Sequence, residues 1–291
     1  MKVHLVDGTY ELFRQHFGRP PSERDAGSYG ATAGVLASTL QLLADGATHV
    51  GVASDHVIES FRNDLWPGYK TSAGMPPELL EQLPMVEEAL EAMGITVWPM
   101  VSHEADDALG AAAEVADADE RVEQALIVTP DKDLGQCVKG RRIVQFDRRK
   151  RELMDEVAVT AKFGVAPASI PDWLGLVGDS ADGFPGIAGW GAKSASAVLA
   201  RYGHLEDIPD HAGQWEVEGL RGAAKLSSAL RQDFALALLF RRIATLDTDV
   251  DVGTVDDWEW HGPTEAFDDW AVAVGVPSLA ERAAKIAASR P

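Results

Sequence analysis

Short apolar runs alternate with longer stretches of helical period through the first half of the chain. Val3–Val6, His49–Ala53, Ile95–Trp98 and Ala125–Thr129 read as strands. Between them, Tyr29–Leu43, Pro77–Met93 and the alanine-rich Glu104–Val115 carry helical spacing, with Asp45-Gly46 and Gly94 as stops. That alternation predicts an α/β fold with a mostly parallel sheet flanked by helices. Ile143–Phe146 and Glu152–Met154 flank a turn and predict a hairpin. From Asp155 onward the pattern is helical, over Val157–Phe163, Ile170–Val177, Ser194–Tyr202 and Leu226–Phe240. Residues 203–224 are expected as a loop, and the acidic Asp247–Trp260 as a segment wandering over the surface. Two short helices near 264–274 and 278–288 close the chain.

Ligands of parallel sheets sit at the carboxyl ends of the strands. Asp7, Asp55, Asp131 and Asp133 follow predicted strand ends, and Glu104 opens the helix after another. Asp106 and Asp107 lie beside Glu104, and Asp179 and Asp182 form a pair three residues apart. If these acids converge, they cannot all stay ionised without a cation. Divalent metals solve that problem, and two ions about 4 Å apart can hold both the attacking and the leaving oxygen of a phosphodiester. An Asp after a strand is equally a helix N-cap or a turn former. On an ideal helix Glu104 and Asp107 share a face while Asp106 points away, so a bent first turn is needed for Glu104 and Asp106 to reach one ion.

Just after the Asp179/Asp182 pair comes Gly186-Ile187-Ala188-Gly189-Trp190-Gly191, leading into a small-residue helix with Lys193 in its first turn. Such a turn offers unpaired backbone N–H groups and the positive end of a helix dipole, which suits a phosphate. Metal ligands at one end and a phosphate grip at the other point to an enzyme acting on a nucleic-acid backbone.

Charge complicates that reading. The 291 residues carry a formal net charge of −20, whereas phosphate contacts favour basic proteins. Positive charge must then be local, or acidity neutralised by cations. Lys139–Arg151, KGRRIVQFDRRKR, holds seven basic residues and one acid, with Arg148, Arg149, Lys150 and Arg151 at the predicted hairpin turn. The same run also reads as a solvated loop that balances acids elsewhere. Arg241-Arg242 is expected to anchor the last long helix. One cysteine, Cys137, excludes an internal disulfide and fits a reducing cytoplasm. No apolar run approaches the ~20 residues of a membrane helix, and MKVHLVDG is too short for a signal peptide. A cytoplasmic protein is expected, and the family resemblance described next implies one that is nucleoid-associated during repair.

LVDG at 5–8, SFRNDLWPGYK at 60–70, EADD at 104–107, TPDKDLGQCV at 129–138 and GDSADGFPGIAGWGAKSASAVL at 178–199 together resemble the 5′ nuclease family. That family comprises bacterial 5′→3′ exonucleases and flap endonucleases, including the N-terminal domain of bacterial DNA polymerase I. The likeness runs from residue 3 to about residue 250, and no polymerase domain follows, so a stand-alone member is expected. The resemblance implies a PIN-like core over 1–165, with a helical arch at about 56–85 and the basic hairpin at 139–154. It further implies a helix-3-turn-helix DNA-binding region over 166–240, and a segment, 241–291, packing back on the core. The activity implied is metal-dependent hydrolysis of branched or flapped DNA near a 5′ end, with RNA-primed ends as further substrates, by a monomer.

By the same resemblance, Asp7, Asp55, Glu104 and Asp106 form one Mg²⁺ or Mn²⁺ site. Asp106, Asp131, Asp133, Asp179 and Asp182 form another, with Asp107 close by. Gly186, Gly189, Gly191 and Lys193 bind duplex phosphates, with K⁺ on the turn's carbonyls, and Lys70 and Arg62 contact the scissile phosphate. Phe61, Trp66 and Tyr69 offer aromatic surface for a base or for packing, and Arg19 and Arg24 are candidates for a 3′ end or template. The chain departs from the family pattern at Thr71-Ser72-Ala73-Gly74, which is neutral after the Tyr-Lys pair, and at Pro130 and Tyr10. Gly183 replaces a commonly found Asn, which removes an expected supporting amide. Two other readings stay open: a non-catalytic branched-DNA binder of the same fold, and a PIN-type ribonuclease.

Overall fold

The computed structural model describes residues 1–24 and 29–290. In chain order its strands are β1 Lys2–Asp7, β2 His49–Asp55, β3 Thr96–Met100, β4 Gln124–Val128, β5 Ile143–Asp147 and β6 Glu152–Met154. Its α-helices are α1 Gly8–Phe17, α2 Gly30–Ala44, α3 Phe61–Leu65, α4 Pro77–Leu80, α5 Gln82–Ala92, α6 Ala105–Ala118 and α7 Glu156–Phe163. They continue with α8 Ile170–Val177, α9 Ala192–Tyr202, α10 Ala223–Gln232, α11 Phe234–Ala244, α12 Phe267–Ala273 and α13 Ser278–Ala288. No described helix is long and apolar enough to cross a membrane.

Two compact units divide the chain. The first comprises Met1–Ile58, Ser72–Thr129 and Asp247–Pro291, the second Glu59–Thr71 and Pro130–Leu246. In the first, β1 to β4 form a parallel sheet: β1 pairs with both β2 and β4, and β2 pairs with β3. Val3, Leu5, Val50, Val52 and Ile127 are fully buried, as expected for strands covered on both faces. Helix α1, which follows β1 directly, was not legible as a helix. Asp7, at the end of β1, is the N-cap of that helix, with its Oδ1 accepting from Tyr10 N–H at 2.8 Å.

The segment expected to wander over the surface does not. Trp258 and Trp260 are 1% and 3% exposed. Trp258 meets Trp98 edge to face at 5.4 Å, and both indoles donate to the Val252 carbonyl. Trp260 donates through its indole to the Met93 carbonyl and through its backbone to Thr48. Large aromatic side chains supply the burial that the segment's acidity conceals, and their N–H groups need buried acceptors. Gly51 makes room in β2, because a Cβ there would stand 2.1 Å from the Trp98 ring.

The second unit is built on α8 and α11. Their backbones approach closely at Gly175, whose Cβ would stand 3.0 Å from the Ala237 carbonyl oxygen. Phe163, Trp173, Phe184, Trp190 and Phe240 fill its core, and Tyr69 from the 59–71 segment belongs to the same cluster. The hairpin appears as β5 and β6, antiparallel, with Asp147 opposite Glu152. The helix expected over Leu226–Phe240 is two helices instead, broken at Asp233 (φ −111°, ψ 26°). An Asp side chain competes for local backbone bonds and weakens a helix interior, so that position ends one helix and starts the next.

Arg241 anchors α11 as expected. Its guanidinium bonds Asp172 Oδ1 at 3.1 Å and both Glu206 oxygens at 2.6 and 2.7 Å. Asp172, on α8 and 2% exposed, also accepts from Leu205 N–H, and its other oxygen lies 2.9 Å from His204 Nδ1. Asp172→Ala is therefore expected to destabilise the protein by about 3 kcal/mol, because it leaves the Leu205 N–H without its acceptor and the Arg241 guanidinium with Glu206 alone. Denaturant unfolding followed by tryptophan fluorescence measures this, and a loss below about 1 kcal/mol would mean that the cluster is not a structural anchor.

Candidate metal centre

Among the described residues, carboxylate oxygens of Asp133, Asp179 and Asp182 lie within 4.8 Å of one another. Local structure brings them there. Pro130-Asp131-Lys132 leads into a short 3₁₀ turn, Asp133–Cys137, and Asp131 Oδ1 accepts from Asp133 N–H at 3.0 Å. Gln145 donates to the Asp131 carbonyl at 2.5 Å. After α8, the chain closes a tight loop in which Asp179 N–H donates to the Phe184 carbonyl, while Gly183 and Phe184 N–H return to the Asp179 carbonyl. Glycine is required at both ends of this loop. Gly178 (φ +83°) and Gly186 (φ +69°) pack so closely that a Cβ on either would meet backbone at 2.4–2.5 Å.

Two lysines attend the cluster. The Lys132 ammonium bonds Asp179 Oδ2 and lies 3.5 Å from Asp133 Oδ1, while Lys70 Nζ lies 3.0 Å from Asp182 Oδ1. Burial disfavours the charge on Lys132, yet Asp133 and Asp179, with Asp131 beyond, hold its pKa above the ordinary lysine value. Asp133 shows the opposite strain. Burial first, and then the charge of Asp131, push its carboxyl well above the usual carboxylate range, against the pull of Lys132. Its Oδ1 is buried without a hydrogen-bond partner. An orphaned buried carboxylate oxygen among other carboxylates fits a hard divalent cation, which takes oxygen ligands and relieves like-charge crowding.

In the first unit the acids make other bonds. Asp7, the α1 cap, accepts from Tyr10 N–H and from the Thr129 hydroxyl at 2.9 Å. Asp55 Oδ1 accepts from Ala105 N–H at 2.7 Å. Glu104 is the buried N-cap of α6 with extended backbone (φ −106°, ψ 160°), so its side chain is not bound to helical directions, and Asp106 is half-buried in the first turn. Among the described residues, the acids that converge on one point are Asp133, Asp179 and Asp182, and these first-unit acids do not join them. Asp107 is fully buried, its Oδ2 accepts from Glu104 N–H at 2.9 Å, and its Oδ1 accepts from Asp247 N–H at 2.8 Å. With both oxygens accepting from backbone donors it closes the helix cap, as Asp7 does for α1. The Glu104-to-Asp107 spacing is that of a capping box, a signal present in the sequence.

Arg62 is a correction. It is 2% exposed, and its guanidinium donates to the carbonyls of Ile243 at 2.8 Å and Thr245 at 3.3 Å, where α11 ends. The last carbonyls of a helix lack intrahelical donors. Arg62 meets that need and is not placed to touch a phosphate. The neighbouring Ala244 carbonyl accepts from Gln136, whose Nε2 also donates to the Asp133 carbonyl. One helix end therefore supports both the 59–71 segment and the turn that carries Asp133.

The Gly186–Gly191 turn is anchored from below and open above. Ile187 and Trp190 are buried, and Trp190 donates to the Leu226 carbonyl at 3.1 Å. Gly189 (φ +84°) and Gly191 have no atom within 4 Å of where a Cβ would stand, and Lys193 is exposed on the first turn of α9. Gly186, by contrast, is buried in the loop closure. At the hairpin tip Arg149, Lys150 and Arg151 are exposed, while Arg148 is half-buried.

Family models of the 5′-3′ exonuclease match residues 2–266 of the chain: the N-terminal resolvase-like domain over residues 2–164, and the C-terminal SAM fold over 165–266. The chain belongs to the 5′-3′ exonuclease family. DNA polymerase I of Bacillus caldotenax is 32% identical over 270 residues, and that of Mycobacterium leprae 33% over 261, covering 90% and 87% of this chain. The chain spans only 30% and 28% of the length of those polymerases. Zinc-bound T5 5′-exonuclease shares the fold at a TM-score of 0.68 and 19% identity, covering 98% of each chain. The catalytic core of Rad2 in complex with DNA substrate does so at 0.64 and 16%, covering 98% of this chain and 92% of its own.

Arg62→Lys is expected to lower stability by about 1–3 kcal/mol, since an ammonium cannot fork between the two carbonyls as a guanidinium does. Thermal and denaturant unfolding test this. A variant of unchanged stability with weakened DNA cleavage would restore Arg62 as a phosphate contact.

Proposed function

We propose that this chain is a divalent-metal-dependent 5′ nuclease, a flap endonuclease and 5′→3′ exonuclease that hydrolyses DNA phosphodiesters near a 5′ end. The observation that carries this reading is the buried Asp133 Oδ1, which has no hydrogen bond and only the Lys132 ammonium at 3.5 Å, inside a three-carboxylate cluster. The metal-bound T5 5′-exonuclease and the DNA-bound Rad2 core, which share the fold, support it. Asp133, Asp179 and Asp182 hold Mg²⁺ or Mn²⁺, with Asp131 beside them, and an all-oxygen donor set suits either ion. Asp7, Asp55, Glu104 and Asp106 serve a further ion. Bound divalent ions supply Lewis acidity and neutralise charge on the phosphodiester.

The protein's own groups do the rest. Lys70, 30% exposed beside Asp182, offers an ammonium to the scissile phosphate as charge develops there. The open faces of Gly189 and Gly191, the first-turn N–H groups of α9 and Lys193 accept duplex phosphates, with K⁺ on the turn's carbonyls. Flapped duplex DNA and RNA-primed 5′ ends are the substrates of this reading.

The hairpin tip is a second grip on the nucleic-acid backbone. Among the described residues Arg149 and Arg151 have no hydrogen-bond or ion-pair partner. Arg151 is also the one described non-glycine residue with positive φ, at 55°. Asp147, 8% exposed, pins the turn by accepting from Lys150 N–H at 3.1 Å. A left-handed arginine at a position that suits glycine costs about 1 kcal/mol, and such strain concentrates at functional sites.

Three outcomes test the reading. Asp133→Asn is expected to slow cleavage of a labelled 5′-flap duplex by roughly 100-fold or more, and near-normal rates would remove the metal assignment. Because the Asp133 carboxyl keeps its proton above the usual carboxylate range, an incoming ion must displace that proton. Mn²⁺ affinity should therefore rise with pH through that window, and the rise should flatten in Asp133→Asn; titrations across pH measure it. Arg151→Gly should raise stability by about 1 kcal/mol while lowering DNA affinity and reducing the salt slope by about 1. Equal affinity and slope would leave the hairpin a plain surface loop.

A further inference from the structure

The loop that carries Asp179 and Asp182 is held from outside by the 59–71 segment at three points. Lys70 N–H donates to the Asp182 carbonyl at 3.0 Å, the Lys70 ammonium meets the Asp182 carboxylate at 3.0 Å, and the Trp66 indole N–H donates to the Gly183 carbonyl at 3.0 Å. The last contact depends on an unusually close approach. Gly183 has φ +85°, and a Cβ on it would stand 2.0 Å from the Gly68 carbonyl oxygen. The missing side chain at 183, which read as a lost supporting amide, is thus what lets the two backbones touch. Support comes instead from the indole across the gap.

The indole itself is fixed. Its ring packs edge to face on Phe240 at 5.0 Å and 87°, and Phe240 is fully buried on α11. The segment's other end is fixed by Arg62 on the last carbonyls of the same helix, while Asn63 donates to the Lys70 carbonyl at 2.9 Å. A rigid chain therefore runs from α11 through Trp66 to the carbonyl of Gly183, the residue that follows the metal-facing Asp182. Among the described residues no other donor engages the Gly183 carbonyl: the loop's own closure uses its N–H.

We propose that Trp66 is a positioning residue for the metal centre, holding the Asp182 carboxylate at the cluster through its hydrogen bond to Gly183. This rests on the reading of Asp133, Asp179 and Asp182 as ion ligands. Without the bond, the loop keeps its internal closure, but Asp182 and its Lys70 partner drift together relative to Asp133. Weakening the support of a ligand loosens the ion even when the ligand remains.

The test compares Trp66→Phe with Trp173→Phe. Each removes one indole N–H from the same core and leaves an aromatic ring; Trp173 donates to Ser196 Oγ at 3.0 Å, away from the acid loop. Mn²⁺ binding to the protein without DNA is followed by electron paramagnetic resonance, alongside thermal unfolding. Trp66→Phe should weaken Mn²⁺ roughly tenfold, and Trp173→Phe should leave it unchanged at a comparable change in unfolding temperature. Unaltered Mn²⁺ affinity in Trp66→Phe, or equal weakening in both variants, overturns the proposal while the metal centre stands. A wild-type protein that binds no Mn²⁺ overturns the metal reading itself, and this proposal with it.

Discussion

Three carboxylates brought within 4.8 Å of one another, two of them buried, set the terms for the second unit. Their mutual repulsion and desolvation oppose folding unless positive charge is supplied. Lys132 and Lys70 supply part of it, and the Asp133 carboxyl, held above its usual range, shows that the balance is incomplete. What remains is a demand for a cation, and the nuclease reading follows from that demand.

Such a cluster needs a stiff frame, because repelling groups separate wherever the backbone yields. The frame here is the carboxyl end of α11. Its three terminal carbonyls take donors from Arg62 and Gln136, one reaching the segment that clasps the Asp182 loop and the other the turn of Asp133. Orphan carbonyls of a helix end are thus satisfied by the side chains that position the site. The buried Asp172–Arg241 cluster holds the same helix against α8, which leads directly into the Asp179 loop.

Much of this was legible beforehand. The alternation of short apolar runs with helical stretches marked β1 to β4 and the hairpin to within a residue or two. The acids at strand ends and the glycine turn pointed to metal and phosphate chemistry through residue type and spacing alone. Where the reading went astray, one residue type served two purposes. Arg62 carries the charge of a phosphate contact but reaches helix-end carbonyls 181 and 183 residues away. Asp247–Trp260 reads as surface by its acids and is buried by its tryptophans.

The sequence by itself determined the class of fold and the kind of chemistry, because both depend on local period and on which functional groups are present. Tertiary structure alone decided which acids meet, which arginine is buried and why position 183 must lack a side chain. Those outcomes depend on approaches between distant segments: the Gly68 carbonyl set against Gly183, the Trp66 indole reaching across, and three carbonyls at the end of α11. No spacing along the chain encodes a 2.0 Å clash that only a folded backbone can create.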